Sequence, residues 1–139
     1  MSVQYSSEHS IPVPPPIWEN VGFWEAAREH KLVFQRCKEC GTWAHPPRPT
    51  CPKCRSLEKE WAASKGKGTI GSWVTYRESP HPGFTAPYSV VLVELDEGVR
   101  LVSNMVDTKA EEISIGMPVE VVFDDVAEGL TLPKFRKVG

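Results

Sequence analysis

The chain has 139 residues, among them four cysteines, thirteen prolines and five tryptophans, and a formal net charge of −2. That length suits one domain or two very small ones, and it excludes a dinucleotide-binding enzyme with a separate substrate domain or an eightfold α/β barrel. With 40% apolar and 24% charged residues the composition is that of an ordinary globular protein, and no apolar run approaches the roughly 18 residues of a membrane span.

The first 16 residues are polar and end in Pro12-Val13-Pro14-Pro15-Pro16. They lack the basic start and apolar core of a secretory signal, so a cytoplasmic location is expected. Proline removes donors and fixes φ, which predicts an extended arm over 1–16. From 17 to 31 the pattern changes: Ile17, Val21 and Trp24 recur at helical spacing with Trp18 and Phe23 beside them. This predicts an amphipathic helix of about four turns. Its aromatic load suits core packing or, at Trp18, Phe23 and Trp24, a partner-protein interface.

Lys31–Arg36 reads as a short strand running into the cysteine region. Cys37 and Cys40 form one C-x-x-C pair followed by Gly41, and Cys51 and Cys54 form a second pair around Pro52. Two such knuckles at this separation present four thiolates to one tetrahedral ion. A chain without a secretion signal is a poor candidate for two disulfides. Four thiolates leave no open coordination position, so the site is read as structural, with zinc preferred over iron. With all four sulfurs committed, no free thiol remains as a nucleophile. His9, His30, His45 and His81 are scattered, and no catalytic constellation emerges.

Beyond Trp61 the texture is all-β. Strands are predicted at Thr69–Glu78, Tyr88–Leu95, Val99–Val106, Val119–Asp124 and Leu130–Arg136, with Asp96-Glu97-Gly98 as a tight hairpin turn. Thr108-Lys109-Ala110-Glu111 fits a capping box before a single helical turn. Five strands with a small helical element after the third match an OB-fold barrel. Gly66-Lys67-Gly68-Thr69-Ile70-Gly71 mimics the dinucleotide fingerprint, but a strand follows it rather than a helix, so these glycines are read as the bend into the first barrel strand. The expected fold is therefore mainly β: an arm over 1–16, a helix over 17–31, a rubredoxin-like zinc ribbon over 32–64 and a five-stranded OB-fold over 65–139.

Charge is unevenly placed. Residues 1–30 carry −3, residues 31–67 carry +6 from nine bases and three acids, and residues 68–139 carry −5. The basic ribbon invites anions. The acidic barrel argues against the alternative of a single-stranded nucleic-acid-binding ribbon/OB module, for which Trp73, Tyr76 and Phe84 would supply stacking platforms.

The series Phe23-Trp24, Arg36-Cys37-x-x-Cys40-Gly41, Pro46-Pro47-Arg48-x-x-Cys51-Pro52-x-Cys54, Gly66-Lys67-Gly68-Thr69, Pro87-Tyr88, Val93-Glu94-Leu95, Gly116-Met117-Pro118-Val119 and Phe135-Arg136 resembles the acyl-CoA-associated zinc-ribbon plus OB-fold family, formerly a domain of unknown function, over about 17–137. The resemblance implies a non-catalytic subunit in a hetero-oligomer. Its partner would be a thiolase-fold protein or, in other members, a hydratase-like one, and the partner would supply the catalytic groups. It implies β-oxidation-like breakdown of an acyl-CoA, with an aromatic one such as benzoylsuccinyl-CoA among the candidates. On that basis coenzyme A would meet Arg48, Lys53, Lys65 and Lys67 through its phosphates, and Tyr76 or Phe84 through its adenine or pantetheine.

Overall fold

The computed structural model describes residues 19–80, 84–127 and 129–138. The arm over 1–16, Ile17, Trp18, His9 and His81 lie outside the described residues. Among the described residues no helix is long and apolar enough to cross a membrane.

Helix α1 covers Val21–Arg28 and is two turns long rather than four. Its start is set by Asn20, whose carbonyl accepts from the N–H groups of Phe23 (3.1 Å) and Trp24 (3.3 Å). Its end is a Schellman closure: His30 N–H donates to Ala27 O at 2.9 Å and Lys31 N–H to Ala26 O at 2.9 Å. The left-handed position that glycine normally fills is occupied by His30, at φ 60°. Tertiary contacts hold it there. The His30 ring stacks on Phe123 (5.2 Å between centroids, 9° between planes), and Nε2 meets Asp125 Oδ1 at 3.0 Å.

Two antiparallel sheets follow. The first has the order β2-β1-β3, from β1 (Val33–Cys37), β2 (Trp43–Ala44) and β3 (Lys59–Ala63). The second has the order β6-β5-β4-β7-β8, from β4 (Lys67–Tyr76), β5 (Tyr88–Leu95), β6 (Arg100–Asn104), β7 (Pro118–Ala127) and β8 (Leu130–Lys137). This is OB-fold topology with mainly β content, as expected. Strand β3 was not foreseen. Four of its five side chains are exposed, so it lacks the alternation that betrays a strand, and only pairing with β1 defines it.

The five-stranded sheet curls until its edges β6 and β8 meet, but it is not a closed barrel. A single parallel bridge, Met105 with Phe135, joins the edges, and Val106 N–H donates to Phe135 O at 2.8 Å. Pro133, with no N–H to offer a ladder, accepts instead from the Ser103 hydroxyl at 2.6 Å. The helical turn before β7 is a 3₁₀ turn at Ala110–Glu112, and its cap falls one residue later than the sequence pattern suggests: Glu112 Oε1 accepts from Lys109 N–H at 3.1 Å. Thr108 is buried, and its hydroxyl donates to Val106 O.

One apolar core serves both sheets. Phe34 of β1 is fully buried with Phe23 of α1 and with Ile70, Val93, Leu101 and Phe135 of the larger sheet. The glycines at the start of β4 permit close approach, and a strand rather than a helix follows them. Gly66 has φ +72° beside Val121, and a methyl on Gly68 would overlap the Glu94 carbonyl oxygen. Gly71 sits at the bulge between Ile70 and Ser72.

Gly68→Ala is therefore expected to lower stability by about 2 kcal/mol or more in a denaturant titration, because backbone atoms cannot yield. Gly98→Ala, at φ +94° but facing open space, should cost closer to about 1 kcal/mol. Equal midpoints for the two variants would contradict this account of the junction.

Candidate metal centre and the surfaces around it

The two knuckles are built alike. In the first, Cys37 N–H donates to Thr42 O (2.9 Å) and Gly41 N–H to Cys37 O (3.0 Å). In the second, Cys51 N–H donates to Ser56 O (2.9 Å) and Arg55 N–H to Cys51 O (2.9 Å). Gly41 is left-handed at φ +76°, and its counterpart Arg55 adopts φ 63°. The first glycine is legible in the sequence, whereas nothing local marks Arg55 for the same role. Each turn aims amides at sulfur: Cys40 N–H toward Cys37 Sγ (3.5 Å), and the N–H groups of Lys53 and Cys54 toward Cys51 Sγ (both 3.4 Å).

The four Sγ atoms all lie within 4.8 Å of one another, and Cys37–Cys54 and Cys40–Cys51 are each 3.5 Å apart. Tetrahedral thiolates at metal–sulfur distances of about 2.3 Å would be roughly 3.8 Å apart, so the cluster fits one ion without rearrangement. No disulfide forms. Proton affinities in the cluster diverge. Hydrogen bonds from the Thr42 side chain and backbone bring Cys40 down to about 6. At Cys54 the Ser56 amide lowers the pKa, but the neighbouring sulfurs, Cys37 first, outweigh it and push the thiol up to about 12. These four residues could together hold one metal ion.

The other predicted contact residues do not form one surface. Lys53 is exposed in the second knuckle. Arg48 is exposed too, but its backbone is clamped by Gln35: Arg48 N–H donates to Oε1 and Nε2 donates to Arg48 O, both at 2.9 Å. Lys65 lies at the junction, its N–H on Glu97 Oε2 (3.0 Å), and Lys67 opens β4. Tyr76 ends that same ten-residue strand, about 30 Å from Lys67. There it stacks on Tyr88 (5.1 Å, 3°), against which Phe84 also packs (5.5 Å). The six residues are thus split between the ribbon, the junction and the far end of the sheet.

Of the aromatic residues assigned to a partner interface, Phe23 is 6% exposed and belongs to the chain's own core, which corrects that reading. Trp24 is half-buried and lines a cavity of about 360 Å³ with Phe23, His45, Leu101, Leu132 and Lys134. His45 is not a metal ligand. Its ring packs between Phe23 (5.5 Å) and Phe34 (5.1 Å), and burial lowers its pKa from the ordinary 6.5. Lys134, 1% exposed, reaches Asp124 Oδ2 at 2.5 Å, and burial lowers its pKa while Asp124 opposes the shift.

A four-cysteine ribbon that shares its core with an OB-like sheet defines a zinc-ribbon/OB-fold module. Known proteins agree on that architecture. The ChsH2 rubredoxin-like zinc ribbon domain matches residues 24–60, and the ChsH2 C-terminal OB-fold domain matches residues 61–124. A DUF35 domain-containing scaffold protein of Methanocaldococcus jannaschii is 39% identical over 108 residues, covering 76% of this chain and 77% of that one. The chain belongs to the DUF35 family, in its ChsH2-type form. The probable enoyl-CoA hydratase alpha subunit of Thermomonospora curvata is 45% identical over 123 residues, 88% of this chain, yet the match spans only 39% of that relative's length. The solved Ltp2-ChsH2(DUF35) aldolase superposes with a TM-score of 0.86 at 42% identity, over 90% of this chain and 98% of that one.

Two outcomes test the site. Cys40→Ser should weaken metal binding by more than the roughly 10–100-fold typical of losing an outer-shell partner, as read by metal stoichiometry after dialysis. Folding suppresses protonation of His45, whereas the unfolded chain takes up that proton near pH 6.5; stability should therefore fall as pH drops below about 6.5. His45→Phe should flatten the slope of denaturation midpoint against pH between 7 and 5. A slope identical to that of the unmodified chain would contradict the burial of a neutral His45.

Proposed function

We propose that this chain is the non-catalytic subunit of a thiolase-type acyl-CoA-processing complex, with its four-cysteine site filled by structural Zn²⁺. The observation that carries the reading is the match, at 42% identity, across 98% of a chain of the solved Ltp2-ChsH2(DUF35) aldolase. The placement of every cysteine in one metal-type cluster agrees with it, because it leaves no free thiol for thiolase-type acyl transfer. The partner supplies that nucleophile and most of the acyl pocket, while this chain orders the interface and assists coenzyme A binding from its basic ribbon. Zn²⁺, when bound, supplies no chemistry to substrate; it fixes β1 and the two knuckles against each other. Against the nucleic-acid alternative stands the −5 charge of residues 68–139, which repels a phosphate backbone.

Affinity purification of the full chain from its native cells should recover a thiolase-fold protein in stoichiometric amount. The isolated chain should show no acyl-CoA turnover, and the recovered complex should show it. Turnover by the chain alone, or consistent recovery of a hydratase-fold protein instead, would overturn the thiolase reading.

A further inference from the structure

The seam between the ribbon and the β5–β6 hairpin encloses a cleft of about 280 Å³ lined by Trp43, His45, Arg48, Pro52 and Arg100, together with the hairpin backbone at Gly98 and Val99. Arg48, in the loop between β2 and β3, and Arg100, the first residue of β6, are 52 positions apart. A third guanidinium, that of Arg36, is held 5.7 Å over the ring of Trp43, so that the cleft's aromatic wall also positions a cation. Acids flank the hairpin side: Asp96 and Glu97 precede Gly98 in the same turn, and Glu97 is engaged by the Ser64 hydroxyl and the Lys65 N–H. Arg100 meets Glu94 Oε1 at 3.7 Å with both side chains largely exposed, a geometry of small energetic weight. Glu60 sits opposite Arg36 across the β1–β3 pair. Yet among the described residues neither Arg36 nor Arg48 has a carboxylate within 4.0 Å.

We infer that this cleft is a binding site for the phosphate groups of an organic phosphate. Arg48 and Arg100 bring two guanidinium groups to the lining of one cleft, with Arg36 against its Trp43 wall, and a dianion answers that positive charge more than a monoanionic carboxylate does. The planar guanidinium fork also matches phosphate oxygens two at a time. Arg48 is suited to the role because Gln35 fixes its backbone from both sides, which leaves only its side chain to be ordered on binding. The volume exceeds that of a single phosphate group, so the phosphates enter the cleft while the rest of the molecule lies along the ribbon surface. That the natural ligand is the nucleotide end of an acyl-CoA rests on the function proposed above; the phosphate site does not.

Isothermal titration of the metal-loaded full chain at low salt with adenosine 3′,5′-bisphosphate is the test, with adenosine and acetate as controls. The bisphosphate should bind, and binding should weaken as salt is raised, while neither control binds at the same concentrations. Arg48→Gln and Arg100→Gln should each weaken the bisphosphate at least tenfold, and Arg77→Gln, at the far end of β4, should leave it within twofold. Absence of bisphosphate binding, or equal affinity in Arg48→Gln, Arg100→Gln and the unmodified chain, would overturn the site. If the bisphosphate binds and the arginine variants weaken it, but the recovered complex turns over no acyl-CoA, the phosphate site stands and the proposed function falls.

Discussion

Four sulfur atoms within 4.8 Å of one another are a demanding arrangement for a chain of this size, and most of the ribbon follows from it. As thiolates they repel; as thiols they are weak hydrogen-bond partners that could not hold two turns together. A cation bound among them reverses the sign of the interaction and turns two loops into a rigid clasp. Strand β1 carries this constraint into the rest of the molecule. Its last residue, Cys37, is one of the four sulfurs, and Phe34, three residues earlier, is fully buried in the core shared with the larger sheet. A segment of five residues thus couples metal binding to packing of the whole chain.

The helix is joined to this assembly from two sides. Phe23 stands edge-on to Trp24 (5.1 Å, 88°) and tilts against Phe34 and His45, tying α1 to the ribbon. At its other end His30 stacks on Phe123 and bonds Asp125, which in turn accepts from Thr131 at 2.5 Å. These contacts show why a two-turn helix survives here although isolated helices of that length are marginal. They also explain how a histidine occupies a backbone conformation usually left to glycine. The cost of the left-handed geometry is offset by a stacked ring and a charge-assisted bond that only the folded chain supplies.

A small module with a closed metal site and a shared core is well suited to act as a shaped surface rather than a reaction centre. Its charge distribution supports the same view. Cations of the larger sheet mostly sit beside acids, as with Lys134 and Asp124 or Arg136 and Glu120, whereas Arg36 and Arg48 of the ribbon do not. The positive charge of the ribbon is thus less compensated by ion pairs than the cations of the larger sheet, whose residues 68–139 carry an excess of acids.

Much of this was written locally in the chain. The C-x-x-C spacing, the glycine after the first knuckle, the Asp96-Glu97-Gly98 turn and the alternation of Val119, Val121 and Phe123 each encode structure through a few neighbouring residues, and from them the metal site, the five long strands and the family were legible. What the sequence withheld depends on contacts between distant segments. Strand β3 exists because β1 offers it a partner; α1 stops at Arg28 because Phe123 and Asp125, about 95 residues on, capture His30. Phe23 reads equally well as core or interface until Phe34 and His45 close around it. The basic residues of the ribbon suggested a diffuse anion-attracting surface, but only folding set Arg100 beside Arg48 and separated both from Tyr76. Local patterns determined which elements form and which residues could bind metal. The tertiary structure decided which of them share a site, because proximity across sheets carries no signature in sequence spacing.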